Sequence, residues 1–163
     1  MRRAAPGDAA ELVELAEGVA SEPEGWLVTH GSWRSATDER RYLRTLRRSP
    51  DAAVLVAERD GAIVGRLSIT RDPHPASSHV ADLGLMVARG SRRQGVGTAL
   101  MEAAERWARK AGIQKLELHV FPHSEPAIAL YERLGYEREG LRRHHYRRDG
   151  ELIDAVLMAK ELA

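Results

Sequence analysis

Apolar positions along the 163-residue chain switch between a spacing of two and a spacing of three to four, so strands and helices alternate. After a short opening strand around Arg2 to Ala5, Leu12, Leu15, Ala16 and Val19 recur at i, i+3, i+4 and i+7. They mark one face of a helix that Asp8 can cap and that ends near Pro23. A second helix runs from Thr37 to a stop at Pro50, with Tyr42, Leu43 and Leu46 inward. Arg40, Arg41, Arg44, Arg47 and Arg48 form its wet face. Ala53 to Arg59 and Ala62 to Ile69 flank Asp60-Gly61, a hairpin signal, and residues 71–77 read as a loop.

From His79 a fourth strand leads through Asp82 to Val87, and Gly84 inside it predicts a bulge or a close backbone approach. The next helix, Thr98 to Lys110, buries Val96, Ala99, Leu100, Ala103, Ala104 and Trp107 on one stripe and ends at Gly112. Lys115 to Phe121 alternates as a half-buried strand, with Glu117 and His119 on its polar side. Pro126 suits the first position of a helix carrying Ala127, Leu130, Tyr131 and Leu134, closed by Gly135. Tyr136 to Arg147 and Glu151 to Ala159 flank Asp149-Gly150, a second hairpin. The order β-α-α-β-β-β-α-β-α-β-β describes an α/β domain with a mixed sheet, not a doubly wound fold.

The length predicts one domain over residues 1–163. With 25 basic and 24 acidic side chains, the net charge of +1 favours neither nucleic acid nor a membrane surface. Any electrostatic specificity must be local. The absence of cysteine removes disulfides, thiol nucleophiles and thiolate metal sites. No apolar stretch approaches ~18 residues and the first residues lack a secretory apolar run, so a cytoplasmic protein is expected.

The densest chemistry lies in Arg92-Arg93-Gln94-Gly95-Val96-Gly97-Thr98, between a strand and a helix. A helix start presents free amides and a positive dipole end, and two arginines add charge. Gly95 and Gly97 are expected to let a ligand approach the main chain. Such a loop fits a phosphate. A nucleotide triphosphatase loop needs Lys and Ser or Thr after the second glycine, but Thr98-Ala99 follows Gly97. A dinucleotide fingerprint needs a third glycine where Leu100 stands.

The remaining pattern, Arg-x-x-Gly-x-Gly after the fourth strand, resembles the pyrophosphate loop of the GCN5-related N-acetyltransferase (GNAT) family. The element order and a second stretch, Ser124-Glu125-Pro126-Ala127-Ile128-Ala129-Leu130-Tyr131-Glu132-Arg133-Leu134-Gly135-Tyr136, extend the resemblance over essentially the whole chain. Ser124 stands where that family usually has Asn. Ser78 to Gly84 and Arg148 to Ala155 look like the branch that acetylates free L-amino acids. The resemblance implies an α+β fold: one mixed, mostly antiparallel sheet of about seven strands flanked by about four helices.

It also implies roles. Acetyl-CoA would be the cosubstrate, its pyrophosphate cradled by the amides of Gln94, Gly95, Val96, Gly97 and Thr98 beside Arg92 and Arg93. Leu85, Met86 and Val87 would pair with the pantetheine arm, and an amide near Met86 or Val87 would polarise the thioester carbonyl. Ser124 and Ala127 would touch the cofactor. Tyr131 would be the general acid on the departing sulfur, although the bare pattern allows it as one more member of an apolar stripe.

An amine acceptor must lose a proton, and Asp82, His79 and Glu117 are the candidate bases, Asp82 foremost; a water chain would need none of them. Trp26, Trp33, His79 and His145 are candidates for the acceptor site, with core packing an equal reading of the tryptophans. The seven histidines lack metal-ligand spacing, so no metal is expected. The five arginines of Arg138 to Arg148 read as a solvated hairpin face or an anchor for a substrate carboxylate, and acidic neighbours argue against nucleic acid. The resulting expectation is acetyl transfer to a small primary amine, such as an amino acid, by direct attack. A protein N-terminus or lysine is the alternative acceptor, and a non-catalytic acyl-CoA sensor the alternative class. A homodimer is common among the family resembled.

Overall fold

Both Asp-Gly pairs turn as expected: in the computed structural model, which describes residues 1–27 and 33–162, they close tight hairpins. Asp60 and Gly61 take φ of 51° and 80°, and Asp149 and Gly150 take 50° and 85°. Positive φ at both central residues matches the twist of the strands they join.

The strands are β1 (Arg2–Arg3), β2 (Ala52–Arg59), β3 (Ala62–Arg71), β4 (Val80–Val87), β5 (Lys115–Val120), β6 (Glu137–Arg148) and β7 (Glu151–Glu161). The helices are α1 (Ala9–Ala20), α2 (Ala36–Leu46), α3 (Val96–Lys110) and α4 (Glu125–Arg133). One seven-stranded sheet runs β1-β2-β3-β4-β5-β7-β6, antiparallel except for β4 beside β5. The mixed, mostly antiparallel sheet with four helices is thus the architecture that the family resemblance implied.

Period-two alternation sorts side chains to two layers. Val54 and Val56 of β2 meet Leu12 of α1 and Leu43 and Leu46 of α2 on one face. On the other, Leu67, Ile69, Leu83, Leu116 and Leu118 pack against Leu100, Met101 and Ala104 of α3 and Ile128 and Tyr131 of α4. Gly65 lets α3 approach β3, because a Cβ there would come within 2.9 Å of Leu100 Cδ1 and 3.0 Å of Val96 Cγ1. Arg40, Arg41 and Arg44 of α2, and Arg47 and Arg48 just after it, are exposed, but Glu39 on the same helix is fully buried, which its amphipathic pattern did not reveal.

Some local expectations yield to tertiary contacts. Asp8 does not cap α1; its carboxylate accepts from the Ala5 amide at 2.7 Å and pairs with Arg2 at 2.7 Å, which holds its pKa below the usual carboxylate range. Ser35 does cap α2, accepting from the Asp38 amide. Pro126 is the second residue of α4, not the first. Gly84 forms no bulge: it pairs in unbroken register with Ser68, whose Oγ would lie 2.9 Å from a Cβ there.

Candidate active site

β4 and β5 separate after four paired residues. Val80 to Leu83 run beside Lys115 to Leu118, whereas Gly84 to Val87 continue along β3 and His119 and Val120 continue along β7. The β4 edge facing the gap is left with main-chain groups available to an extended ligand. A cavity of about 710 Å³ occupies the gap, lined from one face by Leu83, Leu85 and Val87 and from the other by Asp82, Gly84 and Met86.

At one end lies the start of α3. Gly95, at φ 80°, precedes the helix, whose first bond runs from the Ala99 amide to the Gly95 carbonyl at 3.0 Å. The amides of residues 95–98 therefore have no carbonyl ahead of them in the helix. Arg93, Gly95, Gly97 and Thr98 line the cavity, and so does Arg133 of α4, a second cation that the sequence reading passed over.

The two glycines serve separate ends. Gly95 supplies a left-handed backbone with open space around it, whereas a Cβ at Gly97 would meet Leu130 Cδ2 at 3.0 Å. Gly97 thus permits α3 to pack against α4 as well as lining the cavity. Gln94 and Val96 do not line the cavity with their side chains. Gln94 donates to the Gly90 carbonyl and accepts from Arg59, and Val96 is buried near Gly65.

Arg92 also departs from its expected place. Its Nη1 and Nη2 donate to the two carboxylate oxygens of Glu22, each at 2.6 Å, and its Nε donates to the Val87 carbonyl at 3.0 Å. The guanidinium reaches the cavity wall, but its charge is matched within the chain. It ties the end of β4 to the turn after α1.

In the middle of the cavity, Tyr131 is buried and burial pushes its hydroxyl pKa up, so it stays protonated across the physiological range. Ser124 is 2% exposed and its Oγ has no hydrogen-bond partner among the described residues, though Ser124 sits where a side chain could cap α4. Both line the cavity together with Ala127 and Leu130.

The opposite end is walled by Trp26, Leu27, Trp33, Arg66, Ser68, Asp82, His119 and Tyr146. Two long-range contacts hold the segment carrying Trp26 and Leu27. His123 Nε2 lies 3.0 Å from the Glu24 carbonyl, and Arg148 Nη1 donates to the Leu27 carbonyl at 3.4 Å. Asp82 is open to the cavity, yet the surrounding protein displaces enough water to raise its pKa to about 6. Glu117 raises it further and Arg142 opposes. His119 is pushed downward by burial and by Arg142 and His145, so its ring is held neutral near pH 7, with Nδ1 3.0 Å from the Tyr146 hydroxyl.

Two expected acceptor residues are misplaced. His79 is exposed just before β4, its carbonyl accepting from the Gln114 and Lys115 amides, and it does not line the cavity. His145 is exposed and touches His119 edge-on with ring centres 5.8 Å apart. His144 takes φ 52° where the β6 register shifts, and Tyr146 rather than His145 lines the cavity. His119 could have been found in the sequence, since strand alternation places it on the same face as Glu117. Arg66 gave no such sign.

The sequence profile of the acetyltransferase (GNAT) family matches residues 15–136. The chain is 39% identical over 115 residues to L-amino acid N-acetyltransferase AaaT of Escherichia coli strain K12, covering 68% of this chain and 69% of that protein. An acetyltransferase of the GNAT family from Streptococcus pneumoniae superimposes with a TM-score of 0.90 at 29% identity over 99% of this chain and 98% of that one. A GNAT superfamily phosphinothricin acetyltransferase from Sinorhizobium meliloti, solved in complex with AcCoA, shares the fold, with a TM-score of 0.86 at 20% identity over 99% and 87% of the two chains.

Proposed function

Because the chain belongs to the acetyltransferase (GNAT) family and is an N-acetyltransferase, we propose that it moves the acetyl group of acetyl-CoA to the primary amine of a small molecule, an amino acid or a close relative. The observation that carries this reading is the cavity through the β4–β5 gap, which joins an anion-binding helix start to a separate polar pocket past Tyr131. The amino-acid acceptor named for the Escherichia coli relative supports the finer part.

Bound acetyl-CoA supplies an activated thioester and a pyrophosphate. The α3 amides, with Arg93 and Arg133, bind the anionic end, and the open edge of β4 at Leu85, Met86 and Val87 holds the extended arm. A β4 amide donates to the carbonyl oxygen as charge grows there, a contact worth ~3 kcal/mol in comparable sites. Tyr131 donates its proton to the leaving sulfur. Asp82 takes the amine proton, through water along the side-chain-free surface of Gly84, because four strand steps separate it from Met86 by ~13 Å.

Asp82 must be ionised to act as base, so kcat for a saturating amine should fall below a pKa of about 6 as the carboxylate protonates. Burial, then Glu117 of β5, raise this group and Arg142 of β6 opposes them, while Asp82 in turn helps raise the Tyr146 hydroxyl. Asp82→Asn should remove this acid limb and lower the plateau roughly tenfold. An unchanged limb in the variant would transfer the base role to His119.

Calorimetric titration with acetyl-CoA, followed by an assay over amino acids, polyamines and aminoglycosides, tests the function itself. Micromolar binding with turnover of amino acids is the expected result. Binding without turnover of any amine would replace transfer by a sensor role, and no binding would overturn the reading.

A further inference from the structure

A charged cluster beneath the acceptor pocket lies outside every role assigned so far. Arg66 of β3 is 4% exposed and Glu39 of α2 is 0% exposed, yet they lie 27 positions apart in the chain. Arg66 Nη2 lies 3.6 Å from Glu39 Oε1, and Arg34 Nη1 lies 3.1 Å from Glu39 Oε2. Two aromatic rings enclose the cations, with Arg66 5.3 Å from the Trp33 ring centre and Arg34 4.3 Å from that of Tyr42.

Counting charges decides what this cluster lacks. Two guanidinium groups share one carboxylate; Arg34 is 38% exposed and meets water, whereas the buried Arg66 has only Glu39 at ion-pair distance among the described residues. A buried cation is costly unless paired. Arg66 Nε and Trp33 Nε1 are both buried donors without a hydrogen-bond partner among the described residues, and both residues line the cavity. Burial lowers the Arg66 pKa and Glu39 opposes it, while the group stays a cation at neutral pH. Glu39 lies beside the guanidinium at ion-pair distance, its own oxygens without a hydrogen bond among the described residues, and Nε is left to a ligand.

The register then places this cation relative to the chemistry. Arg66 is paired with Met86, next to Val87, whose amide faces the gap because the Ala88 amide one place on donates to the Val64 carbonyl of β3. An amine reacting there and a negative group beside Arg66 are separated by little more than one interstrand spacing, ~5 Å, plus side-chain reach. An α-amino acid spans that distance.

We propose that Arg66, backed by Glu39 and Arg34 and assisted by the Trp33 indole N–H, binds the carboxylate of the acceptor and so selects free amino acids over their amides and over peptide N-termini. This rests on the acetyltransferase reading above and narrows its acceptor. Trp26, Leu27 and Trp33 supply an apolar wall, which suits an uncharged side chain. Arg66 acts on binding, whereas the thioester chemistry lies with β4 and Tyr131.

L-leucine, L-leucinamide and isoamylamine present the same side chain with a carboxylate, a neutral amide and nothing. The wild-type protein should prefer leucine over both by about 100-fold in kcat/KM, chiefly through KM. 4-Methylpentanoate, which keeps the carboxylate and lacks the amine, should inhibit competitively against leucine. Arg66→Met should lose that preference and the inhibition, with the loss for leucine falling on KM, and Glu39→Gln/Arg66→Met, which removes both buried charges, should behave alike. Equal turnover of leucine and leucinamide by the wild type, with no inhibition by 4-methylpentanoate, would overturn the proposal while leaving the acetyltransferase reading intact. Should both variants fail to fold, the wild-type comparison still decides. Failure to bind acetyl-CoA would instead count against the earlier reading.

Discussion

Replacing Tyr131 by Phe should lower kcat about 100-fold and leave the KM for acetyl-CoA within threefold. The hydroxyl is the only atom removed, so the ring keeps its place against Ile128 and against Tyr136, whose ring centre lies 6.0 Å away. General acid catalysis is worth ~10²- to 10⁴-fold, and a thiol with a pKa near 8.5 already leaves fairly well, which puts the expected loss at the lower end. The thermal midpoint should not fall, because no buried partner loses a hydrogen bond. Burial raises the Tyr131 pKa, so the wild type should show no alkaline loss of kcat from this group up to about pH 10. Steady-state kinetics over pH checks both statements. A kcat within threefold of wild type would return Tyr131 to the apolar stripe of α4.

Glu22→Gln should destabilise the protein by about 2–4 kcal/mol, or roughly 5–10 °C in midpoint, and should weaken acetyl-CoA binding about tenfold. Glu22 is buried and takes both terminal nitrogens of Arg92, so the substitution leaves a cation with half its partner. Arg92 would then lose the geometry that anchors the Val87 carbonyl at the exit of β4. Arg92→Met should have nearly the same effect, and the double variant should be little worse than either single one, since all three remove one bidentate contact. Direct phosphate binding by Arg92 predicts another pattern. Removing the Glu22 charge would then free the guanidinium and tighten binding, while only Arg92→Met would weaken it. Denaturant unfolding together with calorimetric titration separates the two.

The contrast at Arg92 shows where sequence reading stops. A loop with two glycines, two arginines and a helix behind it points to an anion, and the α3 start, Arg93, Gly95 and Thr98 do meet the cavity. Both Arg92 and Arg93 reach the cavity, but Glu22, 70 positions away, takes up the Arg92 guanidinium. The same limit separates Trp33, legible as a pocket wall, from Arg66, which looked like an ordinary polar position of a strand.

Signals carried within a few residues were therefore decisive. Positive φ at Asp60-Gly61 and Asp149-Gly150, a period of two in β5 and a period near four in α3 arise from backbone sterics and from burial of one face. These interactions span at most about four positions, so the chain itself specified the hairpins, the element order and the family. The gap between β4 and β5, the Glu22–Arg92 clamp, the place of Tyr146 rather than His145 at the cavity and the Arg34–Glu39–Arg66 cluster join residues far apart in the chain. Packing of whole elements decides such pairings, because a charge buried by one strand is matched by whichever element the sheet order brings against it.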